Sequence, residues 1–138
     1  MSGGRADSAE VANRERLRRL ALALDALRDA GVDVRSGRSL EVEARSLTNE
    51  PVGRSRREAA MAELETFVQE AAMRVVASDV DEVRPWLVAA RKRREDTSAC
   101  IAEVEAARRA YREGDYAAGM GAARRARETA RTLRGWSK

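Results

Sequence analysis

The chain has 138 residues, of which 43% are hydrophobic, 36% are charged and 4% are aromatic. The absence of histidine and the single cysteine exclude a histidine zinc site, a serine–histidine catalytic pair and an intramolecular disulfide. The net charge is +4, and the basic excess lies in residues 84–138, which carry 14 basic and 7 acidic side chains.

Residues 8–30 have the pattern of an amphipathic helix. Four leucines share one helical face because they recur at spacings of three and four residues. They are Leu17, Leu20, Leu24 and Leu27. Asp7 and Glu10 have the spacing of a capping box, and Gly31 suits the position just after a helix. The pattern predicts a helix from Ser8 to Ala30.

Residues 32–53 allow two interpretations. Apolar residues alternate with polar ones around Val34 and again around Val42, as in a small β-hairpin. The same segment also fits a loop followed by a short helix from Ser39 to about Thr48. We favour the helix, because an isolated hairpin is only marginally stable. Residues 49–51, Asn-Glu-Pro, are expected to break the chain in either case.

A second long helix follows that break. Ser55 and Glu58 have capping-box spacing, and apolar residues then recur on one face as far as Val76. We expect this helix to end near Ser78, where Asp79 and Glu82 suggest the cap of the next one.

The segment from Asp79 to Glu113 keeps a spacing of three and four residues throughout. Its register positions are Val80, Val83, Leu87, Ala90, Arg94, Thr97, Ile101, Val104, Arg108 and Tyr111. Arg94 and Thr97 interrupt the apolar stripe, and residues 95–98 are good N-cap material. The sequence therefore predicts either one helix with a kink or two helices divided near residues 95–98. Pro85 falls in the second turn of this segment, where it would bend the entry.

The last predicted helix runs from Tyr116 to about Arg134, with Gly114 ending the preceding helix and Asp115 as its cap. One face carries small residues, which let two helix backbones approach closely. These are Gly119, Ala123, Ala126 and Ala130. We expect a matching small surface on the preceding helix, formed by Ala99, Ala102, Ala106 and Ala110.

Together these elements predict an all-α fold, a bundle of four or five helices with short connections. Residues 1–138 are expected to form a single domain with loose ends at about 1–6 and 135–138. The sequence shows neither a secretory signal nor a stretch long and apolar enough for a membrane span. We therefore expect a cytoplasmic protein with no membrane association, and its small-residue helix faces are compatible with a homo-oligomer.

Residues 103–131 resemble a single tetratricopeptide-type helical hairpin. The similarity is carried by residues 110–116, Ala-Tyr-Arg-Glu-Gly-Asp-Tyr, followed by small residues at Gly119, Ala123 and Ala126. In that family a Gly-Asp-Tyr turn joins two antiparallel helices, which touch at small residues. The resemblance implies hairpin geometry for this segment and lends some support to peptide binding, and it assigns no ligand-contacting residue.

The expected function is protein–protein interaction, in which an adaptor or regulatory subunit docks an unidentified protein partner through its last two helices. Three apolar or aromatic residues and an arginine stripe form the predicted contact surface. They are Tyr111, Tyr116, Met120, Arg124, Arg127, Arg131 and Arg134. The arginines recur at spacings of three and four, so they share one side of the last helix.

The alternative is a nucleic-acid-associated protein that uses its basic half. The densest basic run is the candidate polyanion contact, at Arg91, Lys92, Arg93 and Arg94. We expect no enzymatic activity, no cofactor and no metal. The single thiol, Cys100, is expected to be a small buried residue and not a nucleophile.

Overall fold

The protein is all-α, as predicted. A computed structural model describes the backbone of residues 3–46 and 51–133, and the side chains of residues 8–45 and 55–133. These residues form five helices and no strands. The helices are α1 (Gly3–Asp29), α2 (Arg35–Ser46), α3 (Pro51–Lys92), α4 (Ser98–Arg112) and α5 (Tyr116–Ala130). None of the helices in these ranges is both long and apolar enough to cross a membrane.

Contacts between residues divide the chain into two compact units. The N-terminal unit is Met1–Glu70 and the C-terminal unit is Ala71–Lys138, so the division falls within α3. The prediction of a single domain over residues 1–138 stays a prediction. Residues 3–6, expected to be loose, belong to α1, whereas residues 135–138 lie outside the described part of the chain.

The core of the N-terminal unit is built around the leucine face of α1. All four predicted leucines are buried, together with Ala60, Met61, Leu64 and Val68 of α3. Ion pairs accompany this packing: Arg16 of α1 bonds Glu65 of α3. The helix begins at Gly3, not Ser8, so Asp7 lies inside α1 and the predicted capping box was wrong.

The hairpin interpretation of residues 32–44 was wrong, because α2 occupies Arg35–Ser46. The helix begins four residues before the predicted Ser39. Asp33 explains this early start, since its carboxylate accepts hydrogen bonds from the side chain and the backbone N–H of Arg35. These bonds lower the pKa of Asp33 to about 2, and the side-chain bond makes the larger contribution. Residues 47–50, which include the predicted end at Thr48 and most of the predicted break, lie outside the described residues.

The predicted end of the second long helix near Ser78 was wrong. Helix α3 begins at Pro51, passes Ser55 and Ser78 without a break and ends at Lys92. Neither glycine nor proline stands near Ser78 to end the helix. Pro85 consequently lies in the helix interior, where it cannot donate a backbone hydrogen bond, and not in the second turn as expected.

The segment from residue 79 to residue 113 belongs to two helices, which is one of the two alternatives that the sequence left open. Helix α3 ends at Lys92 and α4 begins at Ser98. Thr97 occupies the N-cap position without a side-chain cap bond, and the Asp96 carboxylate instead accepts from the Ser98 backbone N–H at 2.9 Å.

The connection between α4 and α5 follows the prediction. Gly114 has φ +83°, and the Asp115 side chain accepts from the backbone N–H of Ala118 at 3.2 Å. The small face of α5 is buried at Gly119, Ala123, Ala126 and Ala130.

The predicted small surface of α4 was wrong. Ala99 and Ala102 are exposed, and the buried residues of α4 are Cys100, Val104 and Ala107. Gly119 shows which face meets α5: a Cβ there would lie 3.2 Å from the Ala107 carbonyl oxygen and 3.3 Å from the Tyr111 nitrogen. The face of α4 that meets α5 is displaced by one helical position from the predicted face, and spacing alone did not distinguish the two.

Candidate partner-binding groove

An open groove of about 540 Å³ lies in the C-terminal unit, between the second half of α3 and the last turns of α4. Its apolar and aromatic lining consists of Met73, Val76, Ala77, Val80 and Tyr111. Its charged lining consists of Asp81, Arg84, Arg108 and Arg112. The groove therefore combines apolar surface with an excess of positive charge.

Burial separates the floor of the groove from its rim. Val76 and Val80 are 9% and 8% exposed and form the floor, where they also belong to the core. Met73 is 54% exposed and forms part of the rim. An exposed methionine beside buried valines gives an adaptable apolar surface, because the unbranched thioether side chain can change rotamer to fit a ligand.

Tyr111 connects the groove to the core of the α4–α5 hairpin. Its ring packs edge-on against the ring of Tyr116, with centroids 5.4 Å apart and an interplanar angle of 68°. Tyr116 is buried, so the aromatic pair holds the α4 wall of the groove in place.

Two of the groove arginines are aligned along α4. Arg108 and Arg112 are separated by four residues and therefore lie one helical turn apart on one face. Within residues 8–45 and 55–133 neither forms an ion pair, whereas Arg84 lies 3.8 Å from Asp81 with both side chains largely exposed. Such an exposed pair neutralises the groove only weakly.

The arginine stripe predicted on α5 is engaged within the protein. Arg127 Nη1 lies 3.0 Å from an Asp79 oxygen and 3.8 Å from a Glu82 oxygen, so it joins α5 to α3. Arg124 lies 3.4 Å from Glu128, one turn further along its own helix. Arg131 also has an interaction within the protein, and Arg134 lies outside the described residues.

The Asp79 carboxylate is the most buried acidic group of this contact. Burial raises the pKa of Asp79, and the neighbouring positive charge of Arg127 opposes that rise. The predicted role of Asp79 as a helix cap was wrong, because Asp79 lies inside α3. Its spacing of three from Glu82 instead places both carboxylates on one face, where both approach Arg127.

The two other residues of the predicted contact surface are interior. Tyr116 is 7% exposed and Met120 is 4% exposed, and both contribute to the core of the C-terminal unit. Of the proposed residues that the structure describes, Tyr111 alone lines the groove.

The basic run Arg91, Lys92, Arg93 and Arg94 is exposed at the C-terminal end of α3. Cations are favourable there because the last carbonyl groups of a helix carry partial negative charge. Arg93 is also paired with Glu95 at 3.0 Å. The placement at this helix end is electrostatically favourable for these cations. The candidate polyanion contact at this run stays a prediction.

Cys100 is buried, as expected, and its thiol donates to the Ala126 carbonyl oxygen at 3.3 Å. Burial raises the pKa of Cys100, and the nearby Glu103 adds to the rise, so the reactive thiolate is disfavoured. No group of three or more metal-ligating side chains occurs among the side chains that the structure describes.

No family model, curated protein or solved structure matches this chain. The groove residues must therefore be interpreted from their own chemistry. One signal in the sequence did point to them: Arg108 occupies an apolar register position of α4, between Val104 and Tyr111. The contribution of α3 had no such signal, because Met73 and Arg84 lie more than twenty residues before Arg108.

Proposed function

We propose that this protein is a helical protein–protein interaction module, and that the groove between α3 and α4 receives an apolar segment of its partner. The observation that supports this proposal is the groove itself, in which exposed Met73 adjoins the buried floor of Val76 and Val80. Helical grooves with an apolar floor and a charged rim commonly receive amphipathic helices. The proposed surface keeps Tyr111 from the sequence-based prediction and replaces α5 by α3 as the second wall.

A binding role also agrees with the composition of the chain. Without histidine, catalysis could still use other groups, among them carboxylates, arginines and tyrosines. Arg127, Asp79 and Glu82 form one such group, and their ion pairs join α5 to α3.

A selection from a phage-displayed library of helical peptides tests this proposal. The full chain is expected to select peptides with an apolar stripe. Met73→Glu is expected to weaken their binding about tenfold or more, because the peptide would bury a charge against apolar side chains. Measurement of dissociation constants by fluorescence anisotropy gives the comparison.

Val88→Glu is the matched control. Val88 is also an exposed apolar residue of α3, at 51% exposure, and it does not line the groove. Val88→Glu should bind the selected peptides as the wild type does. Equal losses in both variants, or a selection that returns no peptide sensitive to Met73→Glu, would contradict the proposed function.

A further inference from the structure

The arginines of the C-terminal unit differ in whether a carboxylate accompanies them. On α5, Arg124, Arg125 and Arg127 each approach a carboxylate of the protein. On the groove wall, Arg108 and Arg112 form no ion pair with any side chain that the structure describes. The groove therefore presents positive charge for which the described part of the protein supplies no partner.

The dimensions of the groove indicate the shape of its occupant. Met73 and Val80 are seven residues apart in α3, so the apolar lining extends over about 10 Å of helix. Two turns of a partner helix, with apolar residues at positions i, i+4 and i+7, cover the same length. Arg108 and Arg112 lie about 6 Å apart along α4, which matches two carboxylates one turn apart on such a helix.

We infer that the occupant of the groove is an acidic amphipathic helix of a protein partner, whose carboxylates meet Arg108 and Arg112 beside its apolar stripe. This inference rests on the proposed function and adds the charge of the partner to it. Arginine suits this role because its planar fork can bond both oxygens of one carboxylate.

The groove is less suited to a polynucleotide. Its apolar floor of Val76 and Val80 would desolvate a phosphate backbone without supplying a cation or a hydrogen-bond donor. Among the described residues that line the groove, Tyr111 is the single aromatic side chain on which a base could stack.

The inference is tested by sequencing peptides selected from the helical library. In this library the positions beside the apolar stripe are fully randomised. With the wild-type chain, Asp and Glu are expected to be enriched at two positions one turn apart. Arg108→Glu should weaken the binding of these acidic peptides about tenfold at low salt, because a like charge replaces the complementary one. Their binding to the wild type should also weaken as salt rises.

Arg109→Glu is the matched control, because Arg109 is an exposed arginine of α4 that does not line the groove. It changes the net charge of the protein by the same amount as Arg108→Glu. The Arg109→Glu variant should keep at least most of the wild-type affinity for the acidic peptides. Equal weakening by both variants would show that the acidic residues of the peptides respond only to the net charge of the protein. This result would overturn the inference.

Failure of this inference is distinguishable from failure of the proposed function. Selected peptides that are sensitive to Met73→Glu but show no enrichment of acidic residues would support the groove as the binding site. They would overturn the inference that its partner is acidic. Binding of labelled duplex DNA, or of vesicles containing phosphatidylserine, that is lost in Arg108→Glu without any peptide selection would overturn both. A groove-dependent selection with the acidic pair would support both.

Discussion

Gly119 and Gly121 stand two residues apart in α5, and they have different surroundings. A Cβ at Gly119 would crowd the backbone of α4 at Ala107 and Tyr111, whereas a Cβ at Gly121 would meet only the end of the Arg125 side chain at 3.5 Å. Backbone atoms can yield only if the two helices separate. Gly119 is therefore required for the close approach of α4 and α5, and Gly121 is not.

This difference predicts opposite effects of the same substitution. Gly121→Ala is expected to raise the free energy of unfolding by about 0.5–1 kcal/mol, because alanine favours the helix more than glycine does. Gly119→Ala is expected to lower it by about 1 kcal/mol, because the crowding outweighs that gain. Urea denaturation of the two variants measures both values, and an equal stabilisation in both would contradict the close contact.

Arg94 has φ +60° at a position where glycine is normally found. Helices α1 and α4 end with the same pair of backbone hydrogen bonds, a Schellman motif in which Gly31 and Gly114 have positive φ. Helix α3 ends with that pair too, from Arg94 to Arg91 and from Glu95 to Ala90. A side chain in this left-handed conformation costs about 1–2 kcal/mol.

Arg94→Gly is therefore expected to raise the free energy of unfolding by roughly 0.5–1 kcal/mol, after allowance for the greater entropy of glycine in the unfolded chain. Gly114→Ala should have the opposite sign and a similar size, since it places a Cβ at φ +83°. Thermal and urea unfolding give the comparison. A loss of stability in Arg94→Gly would mean that the arginine side chain itself stabilises the end of α3.

At the scale of elements, the contact between α5 and α3 depends on a buried carboxylate. Asp79 is 8% exposed, and Arg127 reaches it from the neighbouring helix. Burial disfavours the ionised form more than Arg127 favours it, so the pKa of Asp79 is raised above 3.8. The folded protein consequently holds this proton at a pH where the unfolded chain has released it.

This shift predicts the sign of a pH effect. Because the native pKa is the higher one, the contribution of Asp79 to the free energy of unfolding falls as pH rises from about 3.8 through the native pKa. The wild type should therefore lose stability relative to Asp79→Asn across that interval, since asparagine does not titrate. Urea denaturation at several pH values measures the difference between the two proteins.

Asp81→Asn is the control for this experiment, because it removes a carboxylate of the same helix whose side chain is 69% exposed. Comparison with Asp81→Asn separates the effect of the buried carboxylate from that of removing one negative charge from α3. A wild type that gains stability relative to Asp79→Asn as pH rises would show that Arg127 outweighs burial.

The same pair explains why one helix boundary was misplaced. Acidic residues three apart occur both at helix starts and on the face of a continuous helix, where they share a partner. Asp79 and Glu82 belong to the second case, and only Arg127 on α5 reveals it. Asp115 caps a helix start without an acidic residue three positions later, and there Gly114 immediately before it marked the boundary in the sequence.

At the scale of the whole molecule, the basic excess coincides with the unit that bears the groove. The C-terminal unit carries 15 basic and 10 acidic residues, whereas the N-terminal unit carries 12 and 13. If the proposed partner is acidic, this distribution would draw it toward the C-terminal unit before any specific contact forms. Arg108 and Arg112 would then form the close contacts with the partner's carboxylates, which net charge alone does not position.

The sequence by itself determined the helical class, the leucine face of α1, the small face of α5 and the turn at Gly114. Each depends on residues close together in the chain, whose spacing and backbone preferences act locally. Tertiary structure decided the continuity of α3, the face of α4 that meets α5, the engagement of Arg127 and the position of the groove. These depend on which distant residues become neighbours, because burial, ion pairing and close backbone approach arise only when the helices pack.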